Sequence, residues 1–388
     1  MRLLLVLLAA LALAACGGAA HPRASEAPVD RAAPSADLQK AVVAPTGAAA
    51  SATCASPIGV IVYAQEDWLG LARTFAAAPP GCVEAWIGVP TEEGRDHAWL
   101  TTRPNMKEAF ARIGPNVHPM PTIDVDDWEA WGRTHPGVSW LERGRMARKS
   151  MLAAGYDFAK GDYWALNEVP IAAETDASLR ADIRDLLIGL QGDATARTGV
   201  AYAVIPVQAE GSVQRRVGQL EPMLADRSFW AAADRAIEVW SDEAYADVRN
   251  TCEPGSSYQR QADTLAEYAY ARRSIARDAA VRASPEARAV LERVVPLANA
   301  AWRWTEAYGW TNVPASTMAE FVRVQIHAMA RPVGSEMAVG FAWAPKQAPA
   351  AGLAQVAAAI RDELVLVASA PMRDVPKPCA WPGAQIAG

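Results

Sequence analysis

The chain has 388 residues, 51% of them apolar, with a net charge of −6 and no run of basic residues. A length of this order supports one large domain or two smaller ones. The charge pattern excludes a nucleic-acid footprint, which needs a basic patch or stripe. Fourteen tryptophans against six phenylalanines are a surplus of flat rings, which either pack in a core or stack on sugar faces; for any single ring the core is the default.

The N-terminus starts with a positive charge at Met1-Arg2 and continues as an apolar run, Leu3 to Ala15, too short to span a bilayer. Its end, Leu13-Ala14-Ala15-Cys16-Gly17, resembles a bacterial lipobox, in which small residues precede a cysteine that is lipidated on sulfur. The resemblance implies a signal peptide over 1–15 and a lipid on Cys16. The protein would then be a membrane-anchored lipoprotein outside the cytosol, on the cell surface or in the periplasm. Residues 16–53 are rich in Ala, Pro and Ser without an apolar period, the composition of a disordered tether. No later segment has the length and apolarity to cross a bilayer. Four cysteines remain: Cys54, Cys82, Cys252 and Cys379. In an oxidising compartment they predict two disulfides, with three possible pairings. Cys54 with Cys82 is preferred because each precedes a predicted strand, and this leaves Cys252 for Cys379. Their spacing does not resemble a zinc site; no metal or cofactor is expected.

In chain order, Ile58–Tyr63 is the first predicted strand, followed by a helix over Asp67–Ala78 that offers Leu69, Leu71 and Phe75 for packing. Val83–Val89 is the second strand. Asn105 and Glu108 have capping-box spacing for the next helix, with Gly114 as its stop. The third strand, Val117–Val125, is made irregular by Pro119 and Pro121 and runs into Asp124, Asp126 and Asp127. The last two suit the start of a helix, where negative charge meets the dipole. A helix over Ser139–Ala154 precedes the fourth strand, Tyr163–Glu168, which ends in Asn167-Glu168 and is stopped by Pro170. Asp176 caps a helix with Ile183, Leu186, Leu187 and Leu190 on one face, stopped at Gly192. Val200–Ile205 and Ile237–Tyr245 are strands five and six. A long helix spans Ser257–Arg282 and another opens at Pro285. The seventh strand is placed around Trp302 and Trp304 in Ala301–Trp310, with Pro296–Ala301 before it reading as helix. Thr317 and Glu320 form a capping box, Met337–Trp343 is the eighth strand, and Ala351–Ser369 the final helix. This alternation predicts an α/β fold, a (β/α)8 TIM barrel over residues 54–369, ahead of a Pro-rich tail at 370–388. An open doubly wound sheet is the alternative, disfavoured because no Gly-rich phosphate loop follows any strand.

Strand ends meet at one mouth of such a barrel, and catalytic groups are drawn from several of them. The carboxylates at predicted ends are Asp124, Asp126, Asp127, Glu168, Asp242, Glu243 and Glu306. Two carboxylates across a cleft suit glycosidic cleavage, one protonating the leaving oxygen and the other attacking the anomeric carbon or activating water. Asn167-Glu168, Thr305-Glu306-Ala307-Tyr308-Gly309-Trp310 and Trp343 together resemble the clan of (β/α)8-barrel retaining glycoside hydrolases. In that clan an Asn-Glu pair ends the fourth strand, a Glu ends the seventh, and an aromatic residue closes the eighth. The resemblance implies Glu168 as acid/base, Asn167 as a ligand of the sugar 2-hydroxyl, Glu306 as nucleophile and Trp343 as a stacking platform. Ala307 is an extra residue within the clan's pattern, and the clan's Arg near the second strand has only Arg95 nearby. Glu243 is the fallback partner carboxylate. Trp240, Tyr245 and Trp310 are further expected substrate contacts. His118 reads as a packed strand residue. The expected partner is a carbohydrate polymer or oligosaccharide, met by a monomer; a non-catalytic carbohydrate-binding or envelope lipoprotein on a degenerate barrel is the alternative. A metal-dependent hydrolase built on Asp126 or Asp242 lacks a His at ligand spacing.

Overall fold

Eight buried runs pair side by side, all parallel, and close on themselves. The computed structural model describes residues 44–381 apart from 46, 51, 55, 65–66, 93–100, 103–104, 168, 204–221, 244–245, 247, 267–268, 270–279, 281–283, 301–312, 331–336, 344–349 and 370–375. The strands are β1 (Ile58–Ala64), β2 (Val83–Glu92), β3 (Val117–Asp124), β4 (Trp164–Asn167), β5 (Gly199–Ala203), β6 (Ile237–Asp242), β7 (Val294–Asn299) and β8 (Val339–Trp343). Strands consecutive in sequence are neighbours in space, and β1 pairs with both β2 and β8. The ring is therefore a closed (β/α)8 barrel without a free edge in its eight-strand ladder. Thr101–Thr102 add a short antiparallel pairing at the end of β2.

The described helices include α1 (Trp68–Ala76), α2 (Met106–Ile113), α3 (Val125–Thr134), α4 (Trp140–Ala153), α5 (Ala177–Gln191), α6 (Arg227–Ala236), α7 (Pro285–Leu291), α8 (Ala315–Met329) and α9 (Ala350–Ala368). Because the strands are covered on both faces, they read as near-continuous apolar runs rather than alternating ones. Alternate residues still go to different cores. Ile61, Met120, Ala165, Val200, Val239 and Leu297 fill the barrel interior. Val60, Val62, Val339 and Phe341 face a helix-side cluster shared with α1, α8 and α9. Leu166, Ala201 and Trp240 face a second one, shared with α3 to α7.

One strand departs from its expected position, and both it and β3 accommodate proline. β7 lies upstream of its expected position: Pro296–Asn299, which reads as helix, is strand, and Ala301–Trp310 lies outside the described residues. β7 pairs with β6 through Val294–Pro296 and with β8 through Leu297–Asn299. Pro296 sits at the handover, where its missing N–H deprives no ladder. β3 uses the same device. Its residues up to Thr122 pair with β2, and pairing with β4 begins only at Thr122, so Pro119 and Pro121 each face one ladder.

Neither predicted capping box forms. Asn105 precedes α2 with a left-handed φ of 73° and no side-chain cap. Thr317 lies inside α8, where its hydroxyl donates to the Ala380 carbonyl at 3.1 Å, while Glu320 accepts from Lys377 at 3.3 Å. Both residues hold the C-terminal segment against the barrel. Gln261 grips the same segment with a bond to and from the Cys379 backbone, at 2.8 and 3.1 Å. The Trp381 N–H donates to the Cys252 carbonyl at 2.9 Å.

Both predicted disulfides are present. Cys54–Cys82 closes 28 residues and Cys252–Cys379 closes 127. Two disulfides fit an oxidising setting outside the cytosol. Among the described residues no helix is long and apolar enough to cross a membrane.

The site-bearing quarter of the barrel is set by one close helix contact. α4 and α5 meet at Gly144 and Gly189, where a Cβ on Gly189 would stand 2.3 Å from the Leu141 carbonyl oxygen and 2.9 Å from the Gly144 Cα. Both obstacles are backbone, so neither can swing aside. Gly189→Ala should therefore cost about 1–3 kcal/mol through overpacking, read as a lower urea midpoint at unchanged slope. A neutral or stabilising result would mean that the helices separate freely.

Candidate functional site at the barrel mouth

Asp124 closes β3 and Asn167 closes β4, and the two stand opposite each other in the strand register. Each is two residues beyond an axis-facing position in its strand, Thr122 and Ala165, so both side chains turn toward the barrel axis. Asn167 is 3% exposed, and its Nδ2 donates to Asp124 Oδ2 at 2.9 Å. The other carboxylate oxygen accepts from the Asp126 N–H at 2.9 Å and so caps α3. One carboxylate thus starts the helix and orients the amide. Burial raises the Asp124 pKa, against the opposing pull of the Asn167 and backbone hydrogen bonds. A carboxyl pushed toward keeping its proton is the chemistry required of a general acid.

Asn167 Oδ1 is buried without a hydrogen-bond partner among the described residues. Other axis-facing groups share that condition among the described residues: the Trp86 indole nitrogen, the Tyr202 hydroxyl and the Ser241 hydroxyl. Buried polar atoms are nearly always satisfied, and those without a protein partner mark places that water or a ligand serves. Tyr202 stacks obliquely on Tyr63, ring centroids 5.2 Å apart. Burial, with Tyr63 adding to it, pushes its phenol well above the ordinary range, so it stays a neutral donor.

Glu243 follows β6 on the same parity as the axis-facing Val239 and Ser241, and is 8% exposed. Its N–H donates to the Ala203 carbonyl at 3.1 Å, joining the ends of β5 and β6. The fallback carboxylate therefore stands at the same end of the barrel as Asp124 and Asn167. No protein-family model matches the chain, and no curated protein matches it. Function is therefore read from the mouth itself.

Two expected substrate contacts face the helices instead. Trp240 is one residue out of phase with Val239 and packs on Trp230 of α6, ring centroids 5.4 Å apart. Trp343 shares the parity of Val339 and Phe341 and is 1% exposed in the helix-side core. The two-residue period of a strand decides both cases: a residue facing the helices cannot also face the axis. Asp242 has the parity of Trp240 and is likewise buried on that side. Glu168, Glu306, Tyr245, Trp310, Arg95 and Cys16 lie outside the described residues. His118 is a strand residue at the opposite end of the barrel, paired with Glu84 and stacked on Trp86 at 5.5 Å. Sequence reasoning named Asp124 as a strand-end carboxylate but missed its bond to Asn167, and it missed Tyr202. The signal for the first was available: both residues end consecutive strands of a parallel sheet, and such ends lie side by side.

Proposed function

We propose that this protein is a glycoside-hydrolase-type barrel acting on a polysaccharide or oligosaccharide outside the cytosol, tethered through a lipid on Cys16. The observation that carries this reading is Asn167. Asp124 fixes its amide at 2.9 Å, and its Oδ1 is left buried and without a partner among the described residues at the mouth, one residue before Glu168. An oriented acceptor of that kind suits a sugar hydroxyl and holds the glycosidic bond beside the neighbouring carboxyl. Glu168 would protonate the leaving oxygen as the C–O bond breaks. A second carboxylate, Glu243 or Glu306, would attack the anomeric carbon, and a water deprotonated by Glu168 would then release the sugar. Glu243 is favoured among described residues because it shares the mouth with Asn167.

Screening the wild-type chain against mixed neutral and charged polysaccharides for release of reducing ends tests the reading. Hydrolysis of at least one glycan is the expected result. Binding without any release would support the second class of function, a carbohydrate-binding protein on a barrel that does not turn its ligand over.

A further inference from the structure

A cleft of about 400 Å³ opens between α3, α4 and the start of α5, within the size range of small-molecule sites, roughly 300–1,000 Å³. α3 begins at the cap that Asp124 provides, and α5 follows β4, so the cleft lies on the mouth end of the barrel, outside the ring of strands. Its floor is Arg143, only 7% exposed. The guanidinium is fixed on three sides. Nε donates to the Val138 carbonyl at 3.1 Å, Nη1 donates to the Trp128 carbonyl at 3.2 Å, and the plane lies 4.4 Å from the Trp140 ring centroid.

Gly132 makes room for it: a Cβ there would fall 2.1 Å from Nη2. Glycine inside a helix costs about 1 kcal/mol relative to alanine, so this position favours guanidinium access over helix stability. Nη2 has no hydrogen-bond partner among the described residues. Asp182 and Glu129 attract Arg143 across the cleft, yet neither forms an ion pair with it within 4.0 Å. Trp140 and Asp182 line the cleft together, and burial raises the Asp182 pKa against the pull of Arg143. A fixed donor edge and a carboxylate therefore line one gap, with Ser178 beside them.

We propose that this cleft is a second binding site, which takes a neutral sugar ring through two adjacent hydroxyls, one accepting from Arg143 and the other donating to Asp182. The choice of a sugar rests on the function proposed above. The neutral character comes from the lining, where the charges of Arg133 and Arg143 nearly balance those of the acidic side chains. A vicinal diol matches a guanidinium and a carboxylate set side by side, because each hydroxyl both donates and accepts.

The test is calorimetric titration of the full-length chain with cellohexaose, xylohexaose, mannohexaose and maltohexaose, using Glu168→Gln as parent to prevent turnover. Chitosan hexamer and hexagalacturonate serve as cationic and anionic probes. At least one neutral hexamer should bind more tightly than either charged probe, and Asp182→Asn in the same parent should weaken it fivefold or more. Independently of any substitution at Asp182, the Trp140 indole N–H resonance should shift on saturation, with Trp140→Phe identifying the peak. Equal affinity of Asp182→Asn and its parent, an unmoved Trp140 resonance, tighter binding of a charged probe, or no binding of any probe would each overturn the proposal. Hydrolysis by the wild type with no effect at the cleft would remove the second site and leave the first reading standing; cleft binding without hydrolysis would do the reverse.

Discussion

Asp124→Ala should destabilise the barrel by roughly 2–4 kcal/mol and disable the mouth with it. The carboxylate makes two bonds, one to the Asp126 N–H and one to Asn167 Nδ2. Loss of a helix cap costs about 1 kcal/mol. The Asn167 amide is nearly inaccessible to water, and stripping it of its partner adds the desolvation cost of a buried donor, about 1–3 kcal/mol. Urea unfolding reads the sum. A loss below about 0.5 kcal/mol, the range of ordinary surface substitutions, would mean that Asp124 anchors neither group.

Asp124→Asn removes the charge and keeps the cap, because its amide oxygen can accept from the Asp126 N–H in place of Oδ1, while its amide nitrogen replaces the oxygen that accepts from Asn167. Here pH decides. Burial raises the folded-state pKa of Asp124 above its ordinary value, near 4. Below that value the carboxyl is protonated in the folded and unfolded chain alike. As pH rises from there through the raised value, the unfolded chain gives up its proton first, so wild-type stability falls. The variant has no such group. The stability difference should therefore move in favour of Asp124→Asn through that window and level off above it. A difference moving the opposite way would mean that the folded state prefers the ionised carboxylate.

The second large effect belongs to the Cys252–Cys379 bridge. It closes a loop of 127 residues, and both cysteines are buried. Replacing both by serine should cost about 2–5 kcal/mol, with long loops at the upper end if chain entropy dominates. The segment around Cys379 would keep Gln261, Thr317 and Glu320 as its other holds. Earlier cleavage near residue 380 in limited proteolysis, together with a lower thermal midpoint, is the expected outcome. An unchanged midpoint would show that the polar contacts alone secure the segment.

Much of the barrel was legible in the sequence because strands buried on both faces announce themselves as β-branched and apolar runs. Both disulfide pairings were legible too, since each cysteine of the first pair precedes a strand. The seventh strand was not, because proline at 296 and a string of alanines carry helix-like composition, and only the handover between two ladders explains how the proline is accommodated. Thr317 and Glu320 have the spacing of a cap, yet spacing does not reveal that a distant segment claims both side chains. At the mouth, the identity of the carboxylates could be read but not the phase of the tryptophans. Trp240 and Trp343 are separated from axis-facing positions by a single residue in each strand, and no composition rule records that phase. The Asp124–Asn167 bond depends on register, which appears only when β3 and β4 are paired.

The measurement that bears most directly on the proposed chemistry is kcat/KM of wild type and Glu168→Gln on a glycan hydrolysed in the screen, with Asn167→Ala and Glu243→Gln beside them. General acid–base catalysis contributes about 10²–10⁴-fold, so Glu168→Gln should lose at least a hundredfold while remaining folded. Asn167→Ala should also fall if its Oδ1 accepts from the sugar as proposed. Turnover by Glu168→Gln equal to that of the wild type would remove Glu168 from the mechanism and contradict the account.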